Sequence, residues 1–131
     1  MSMFDAIEIS GSGLSVQRAR MDVIAENIAN AETTRTPEGG PYRRLQLLVA
    51  PAERPAGGVE AAGLVVDNSP LRQVYDPSHA DADAEGYVQM PNVDVAIEMV
   101  DMLAASRAYE ANARALRVAR EMAQDAINIL V

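Results

Sequence analysis

Helix breakers occupy only the middle of this chain. All seven prolines lie between Pro37 and Pro91, residues 92–131 hold neither proline nor glycine, and residues 1–36 hold only Gly11 and Gly13. Proline removes a backbone donor and collides with the preceding turn, and glycine costs a helix about 1 kcal/mol. Long helices are therefore allowed at the two ends and barred from the centre. The order read from this feature is a helix over 1–36, a strand-and-loop insert over 37–91 and a second helix over 92–131. The two ends are expected to form one helical domain.

Composition narrows the chemistry. The chain has no cysteine and a single histidine, so it can form no disulfide, thiolate zinc site, cysteine nucleophile or histidine cluster, and no metal or other cofactor is expected. Eleven arginines, with no lysine, face 19 acids and leave a net charge of −8. Phosphate binding needs a dense positive face, so nucleic acid is not an expected partner. No apolar run approaches the roughly 18–20 residues of a bilayer span, and direct insertion is not expected. The opening MSMFDAIEIS lacks the basic start and apolar block of a secretory signal peptide. Apolar residues make up 49% of the chain but aromatic ones only 4%. That balance suits close helix packing better than a ligand pocket.

The N-terminal segment opens on Ser2-Met3-Phe4-Asp5, a capping-box pattern. Ile7, Leu14, Met21 and Ile28 then recur every seven residues, and Phe4, Ile24, Ala25 and Ala31 widen this seam. The spacing predicts a helix over 3–31, about 43 Å long. Gly11 and Gly13 mark a kink, a close contact, or a first turn that orders only on a partner. In the middle, Tyr42–Val49, Val59–Asp67, Leu71–Tyr75 and Tyr87–Met90 read as short extended pieces between turn clusters. The C-terminal segment carries a continuous stripe: Ile97, Val100, Ala104, Ala108, Ala111, Ala115, Val118, Met122, Ala126 and Ile129 step by threes and fours. Leu103, Leu116, Ile127 and Leu130 flank it. Asn92 is the expected N-cap, with Asp94 in the first turn. Acids come early and Arg107, Arg114, Arg117 and Arg120 later, with Glu110–Arg114 and Arg117–Glu121 spaced as helical ion pairs.

Helices of this length exceed what so small a body can cover. Mean globular helices run about 11–12 residues, and a compact domain of this size has a radius of gyration of roughly 14 Å. A stripe that projects beyond it needs another subunit. A monomeric helical hairpin with a looped insert is the alternative at this point.

Other patterns carry less. Asp81-x-Asp83-x-Glu85-Gly86 resembles the start of a calcium loop, but the twelfth position is Asn92 rather than a bidentate Glu, and prolines replace the flanking helix. It reads as a solvated acidic turn. His79 lies near Ser78 and Asp81 without a nucleophile-elbow sequence and reads as a loop histidine. Tyr42-Arg43-Arg44 reads as a salt-bridging strand edge. Asn30 suits helix termination, Asn27 a packed hydrogen bond, and Asn112 is a further mid-helix asparagine that needs a reason.

Two stretches resemble a known family. Asn27-Ile28-Ala29-Asn30-Ala31-Glu32-Thr33 followed by Gly40-Pro41-Tyr42-Arg43-Arg44 is similar to the N-terminal signature of bacterial flagellar rod and hook proteins. Met90-Pro91-Asn92-Val93-Asp94, Glu98-Met99 and Ala105-Ser106-Arg107-Ala108-Tyr109-Glu110-Ala111-Asn112 are similar to its C-terminal one. Gly86-Tyr87-Val88 before Met90 points to a proximal rod member. The resemblance implies a structural subunit of the basal body in the periplasm-spanning rod, with no enzymatic activity. Such subunits leave by the flagellar type III export apparatus without a cleaved signal peptide and build a helical drive shaft. The implied fold is mainly α with a small β insert, its long terminal helices paired as an antiparallel coiled coil. The implied partners are copies of itself, the rod proteins FlgB, FlgF and FlgG, FliE, and the surrounding ring proteins. Asn27, Asn30, Arg107, Tyr109 and Asn112 are then expected to set register. Ile28, Val100, Leu103 and Leu116 supply burial, and Ile7, Leu14, Met21, Ile24, Asn92, Val93, Ile97 and Val118 complete the interface set.

Overall fold

The computed structural model describes residues 2–130. Helix α1 spans Met3–Ala29 and α2 spans Val95–Ile129. At 1.5 Å per residue the 35 residues of α2 extend about 52 Å. Between them lie β1 (Leu45–Pro51), β2 (Val59–Val66), β3 (Arg72–Tyr75) and β4 (Tyr87–Met90). They form two separate antiparallel hairpins, β1 with β2 and β3 with β4. In the first, Leu45 pairs with Val66 and Pro51 with Val59, and the ladder slips between Leu48 and Val49. Each of the four extended pieces contains a strand. β1 begins at Leu45 rather than Tyr42, because Tyr42 and Arg44 turn their side chains towards the helices.

Each helix start is set by a short polar side chain. Ser2 accepts from the Phe4 N–H, and Asp5 accepts from the Ser2 N–H, closing the capping box. Asn30 ends α1, its amide donating to the Glu26 carbonyl at 2.9 Å. The second helix departs from expectation: Asp94, not Asn92, is its N-cap, accepting from Ala96 and Ile97. Asn92 is already engaged. It accepts from the Arg44 N–H at 2.8 Å and donates to the carbonyls of Asp67 and Ser69.

The helices run antiparallel and side by side. Gly13 meets Asn112, and Asn27 meets Glu98; both contacts are fourteen residues apart along each helix, which keeps one register over two heptads. A Cβ on Gly13 would lie 2.8 Å from the Asn112 amide nitrogen, so the glycine is a notch for that side chain. The β1–β2 hairpin packs along α1, and α1 thereby lies between it and α2. The core follows from this order: Val16, Val23 and Ile24 of α1 are buried, and Ala31, Ala52, Val88 and Val93 are buried in the segments between the helices. At the turn end of the hairpin, the Ser12 hydroxyl donates to the Ile9 carbonyl and accepts from the Val59 N–H. Gly58 there has φ +106, and a Cβ would strike that hydroxyl at 2.6 Å. Only glycine meets both conditions.

The acidic stretch is tied into the insert. Asp81 accepts from Thr34 at 2.7 Å and pairs with Arg35, and these hydrogen bonds hold its carboxyl below the usual range. Asp83 accepts from the backbone of Glu85 and Tyr87. Among the described residues, no group of carboxylates and histidines is placed to hold a metal ion.

Candidate assembly interface

Two features of α2 define the candidate site: a polar cluster that fastens its start, and an apolar ribbon left uncovered along its length.

The cluster forms where α1 and α2 meet Tyr42 and Arg44, the residues that lead into β1. Asn27 is 1% exposed and Glu98 is fully buried. The Asn27 amide donates to the Leu45 carbonyl (2.9 Å) and to Glu98 Oε2 (3.1 Å). Its oxygen accepts from the Tyr42 hydroxyl and the Leu45 N–H, both at 2.9 Å. Every hydrogen-bonding position of this asparagine is thus filled. Arg44 Nε donates to the other Glu98 oxygen, and the guanidinium also faces Asp101 at 3.4 Å and Asp67 at 3.7 Å. The bond to Glu98 raises the Arg44 pKa further. Removing Arg44 alone would leave a buried carboxylate unpaired, a loss of about 3–5 kcal/mol.

The ribbon lies on the side of α2 turned away from α1. Ile97, Val100, Val118, Met122 and Ile129 are between 53% and 84% exposed, and Ala104, Ala111 and Ala115 are exposed between them. Steps of three and four residues keep all eight on one side of the helix. Leu103, 61% exposed, stands beside the ribbon, and Arg107, Arg114 and Arg117 line the same flank. Glu110 and Arg114 pair loosely at 3.9 Å. Of the ten-residue stripe expected from the sequence, only Ala108 turns partly inward. The face applied to α1 is a different one, with Glu98 and Ala105 buried and Asn112, Leu116, Ala119 and Ala123 half-buried.

The expected interface residues divide accordingly. Ile24, Asn27 and Val93 are buried within the chain, and Ile7, Leu14, Met21, Ile28, Asn30, Asn92, Asn112 and Leu116 are half-buried. Ile97, Val100, Leu103, Arg107, Tyr109 and Val118 are exposed. Sequence reasoning expected salt bridging at Tyr42-Arg43-Arg44 but missed the buried Glu98 as the partner of Arg44, and Ser12 as the hairpin's fastener. A signal for Glu98 did exist: it begins the heptad Glu98, Ala105, Asn112, Ala119, in parallel with the apolar stripe.

Comparison with known proteins agrees with the two signatures. Residues 7–35 match the family model described as Flagella basal body rod protein, and residues 84–129 match Flagellar basal body rod FlgEFG protein C-terminal. The chain is 43% identical to the flagellar basal-body rod protein FlgC of Borreliella burgdorferi, over 99% of each chain. It is 41% identical to that of Salmonella typhimurium, over 93% of each. The chain belongs to the FlgC family of flagellar basal-body rod proteins. The FlgC of Bacillus subtilis is 38% identical over 98% of this chain and 99% of its own. As a member of the FlgC family, the chain is a structural subunit of the flagellar basal-body rod, not an enzyme. Among the described residues no helix is long and apolar enough to cross a membrane.

Proposed function

We propose that the uncovered ribbon of α2 is the surface through which this subunit joins its neighbours in the rod, and that torque passes along the shaft through it. The carrying observation is that this apolar run of α2 faces solvent in the single chain, while α1 takes the helix's smaller and more polar face. Burying a Val, Ile or Met side chain contributes roughly 1.5–3 kcal/mol, so covering several of them supplies a substantial gross gain on assembly. Ile97, Val100, Leu103 and Val118 give burial to the neighbour, and Arg107 and Tyr109 set register against it. Ile7, Leu14, Met21, Ile24, Asn27, Ile28, Asn30, Asn92, Val93, Asn112 and Leu116 hold the helix pair that presents them. Residues 1–36 and 92–131 act as one coiled-coil unit carrying the insert, 37–91. The neighbours in this reading are further copies of the chain, FlgB, FlgF, FlgG and FliE, with ring proteins around the shaft and delivery by the type III export apparatus.

Val100→Glu combined with Val118→Glu tests it. Both side chains are exposed, so helix content and melting of the purified subunit should match the parent, while rod completion and swarming are lost. Normal swarming by the double variant would rule the ribbon out as an interface.

A further inference from the structure

Helix α2 presents α1 with its less apolar side. The hydrophobic effect alone would favour the opposite choice, since the ribbon of Ile97, Val100, Ala104, Ala111, Val118 and Met122 has no polar side-chain atom, whereas the buried side carries Glu98 and Asn112. Something other than apolar area therefore selects the face.

We propose that Glu98 and Asn112 are face-selecting residues: they fix the rotation of α2 about its axis and so keep the apolar ribbon outward. Glu98 fits only where Asn27 of α1 and Arg44 at the root of β1 converge on it. Asn112 fits only against the notch at Gly13. The two sites are two heptads apart and lie on the same side of α2, so together they define an angle as well as a register. Turning the ribbon towards α1 would swing Glu98 out of its cluster, leaving one Asn27 amide hydrogen without its acceptor and the Arg44 guanidinium without its buried carboxylate. Buried polar groups left without partners make that arrangement costly, even though it buries more apolar surface. Ribbon exposure is thus specified by one polar cluster and one steric notch rather than tolerated as a leftover. The use of that exposure in assembly rests on the reading above; the face selection does not.

The test uses the isolated full chain, because the chain contains no cysteine and one introduced thiol reports alone. In the parent background, a maleimide should label Ala111→Cys on the ribbon at least about tenfold faster than Ala105→Cys on the buried side, a protection equal to about 1.4 kcal/mol of opening free energy. Replacing the pair with Glu98→Leu and Arg44→Leu, together with Asn112→Ala, removes the polar preference while keeping apolar bulk. The labelling ratio should then collapse or invert, with helical circular dichroism retained. A retained helix signal with the parental ratio would overturn the proposal. Glu98→Gln guards against loss of folding in the triple variant. It keeps the size and drops the charge, so an intermediate ratio supports face selection and an unchanged one refutes it. Because labelling is read on the unassembled subunit, an inverted ratio stands even where ribbon variants still swarm, and that combination would count against the assembly reading alone.

Discussion

Tyr42 shows how closely single groups are tied to the fold. Its hydroxyl donates to Asn27 Oδ1. Burial first, and then the charges of Glu26 and Glu98, push its pKa up from 10.0 to about 12. The unfolded chain therefore ionises at lower pH than the folded one. The contribution of Tyr42 is fully present below pH 10.0 and is lost as pH rises towards about 12. Denaturant melts across that window should show stability falling with pH. Tyr42→Phe should flatten the slope while lowering stability at neutral pH by about 1 kcal/mol; an unchanged slope would remove Tyr42 as its source. At this scale much was readable in the sequence. The Ser2 capping box, Asn30 as terminator and Asn27 as a packed hydrogen bonder follow from local pattern and side-chain chemistry. Asn92 and Asp94 did not, because either can cap a helix. Three backbone groups from Arg44, Asp67 and Ser69 occupy Asn92 and leave the cap to Asp94, and no local pattern announces them.

Between elements, the two glycines of α1 behave oppositely. A Cβ on Gly11 meets nothing within 4 Å, while one on Gly13 meets Asn112 at 2.8 Å. Gly11→Ala should stabilise the isolated subunit by about 1 kcal/mol, the difference in helix propensity. Gly13→Ala should show no such gain until Asn112 is also trimmed to alanine, and thermal melts of the two singles and the double would measure this coupling. An equal gain from both single changes would mean that the helices do not touch there. Proline and glycine placement located both helices, and local pattern between the turn clusters located the extended pieces. It could not reveal that the strands pair as two separate hairpins, since such short segments find partners through non-local packing. Nor could it assign faces on α2, where an apolar stripe and a mixed heptad run side by side. The stripe is the stronger pattern, yet α1 takes the heptad, whose companions Arg44, Asn27 and Gly13 lie far away in the chain and leave no local sign of the choice.

For the molecule as a whole, the register of Gly13 with Asn112 brings the start of α1 beside the region of Met122. Residues 124–130 are all exposed, including Ile127, Ile129 and Leu130. Amide hydrogen exchange of the free subunit should be fastest within α2 over this last stretch and slow sharply on incorporation into the rod. Uniform protection along α2 before assembly would contradict a helix end that waits for its support. The central position of α1 carries a consequence for how such a subunit can change over time. The residues that hold the chain together are concentrated on the element flanked on both sides, while the far side of α2 takes little part in holding the fold. Mutations there can accumulate or be exchanged with little penalty to folding. The same scaffold could thus acquire new contacts, one helix face at a time, without first surviving as a misfolded intermediate.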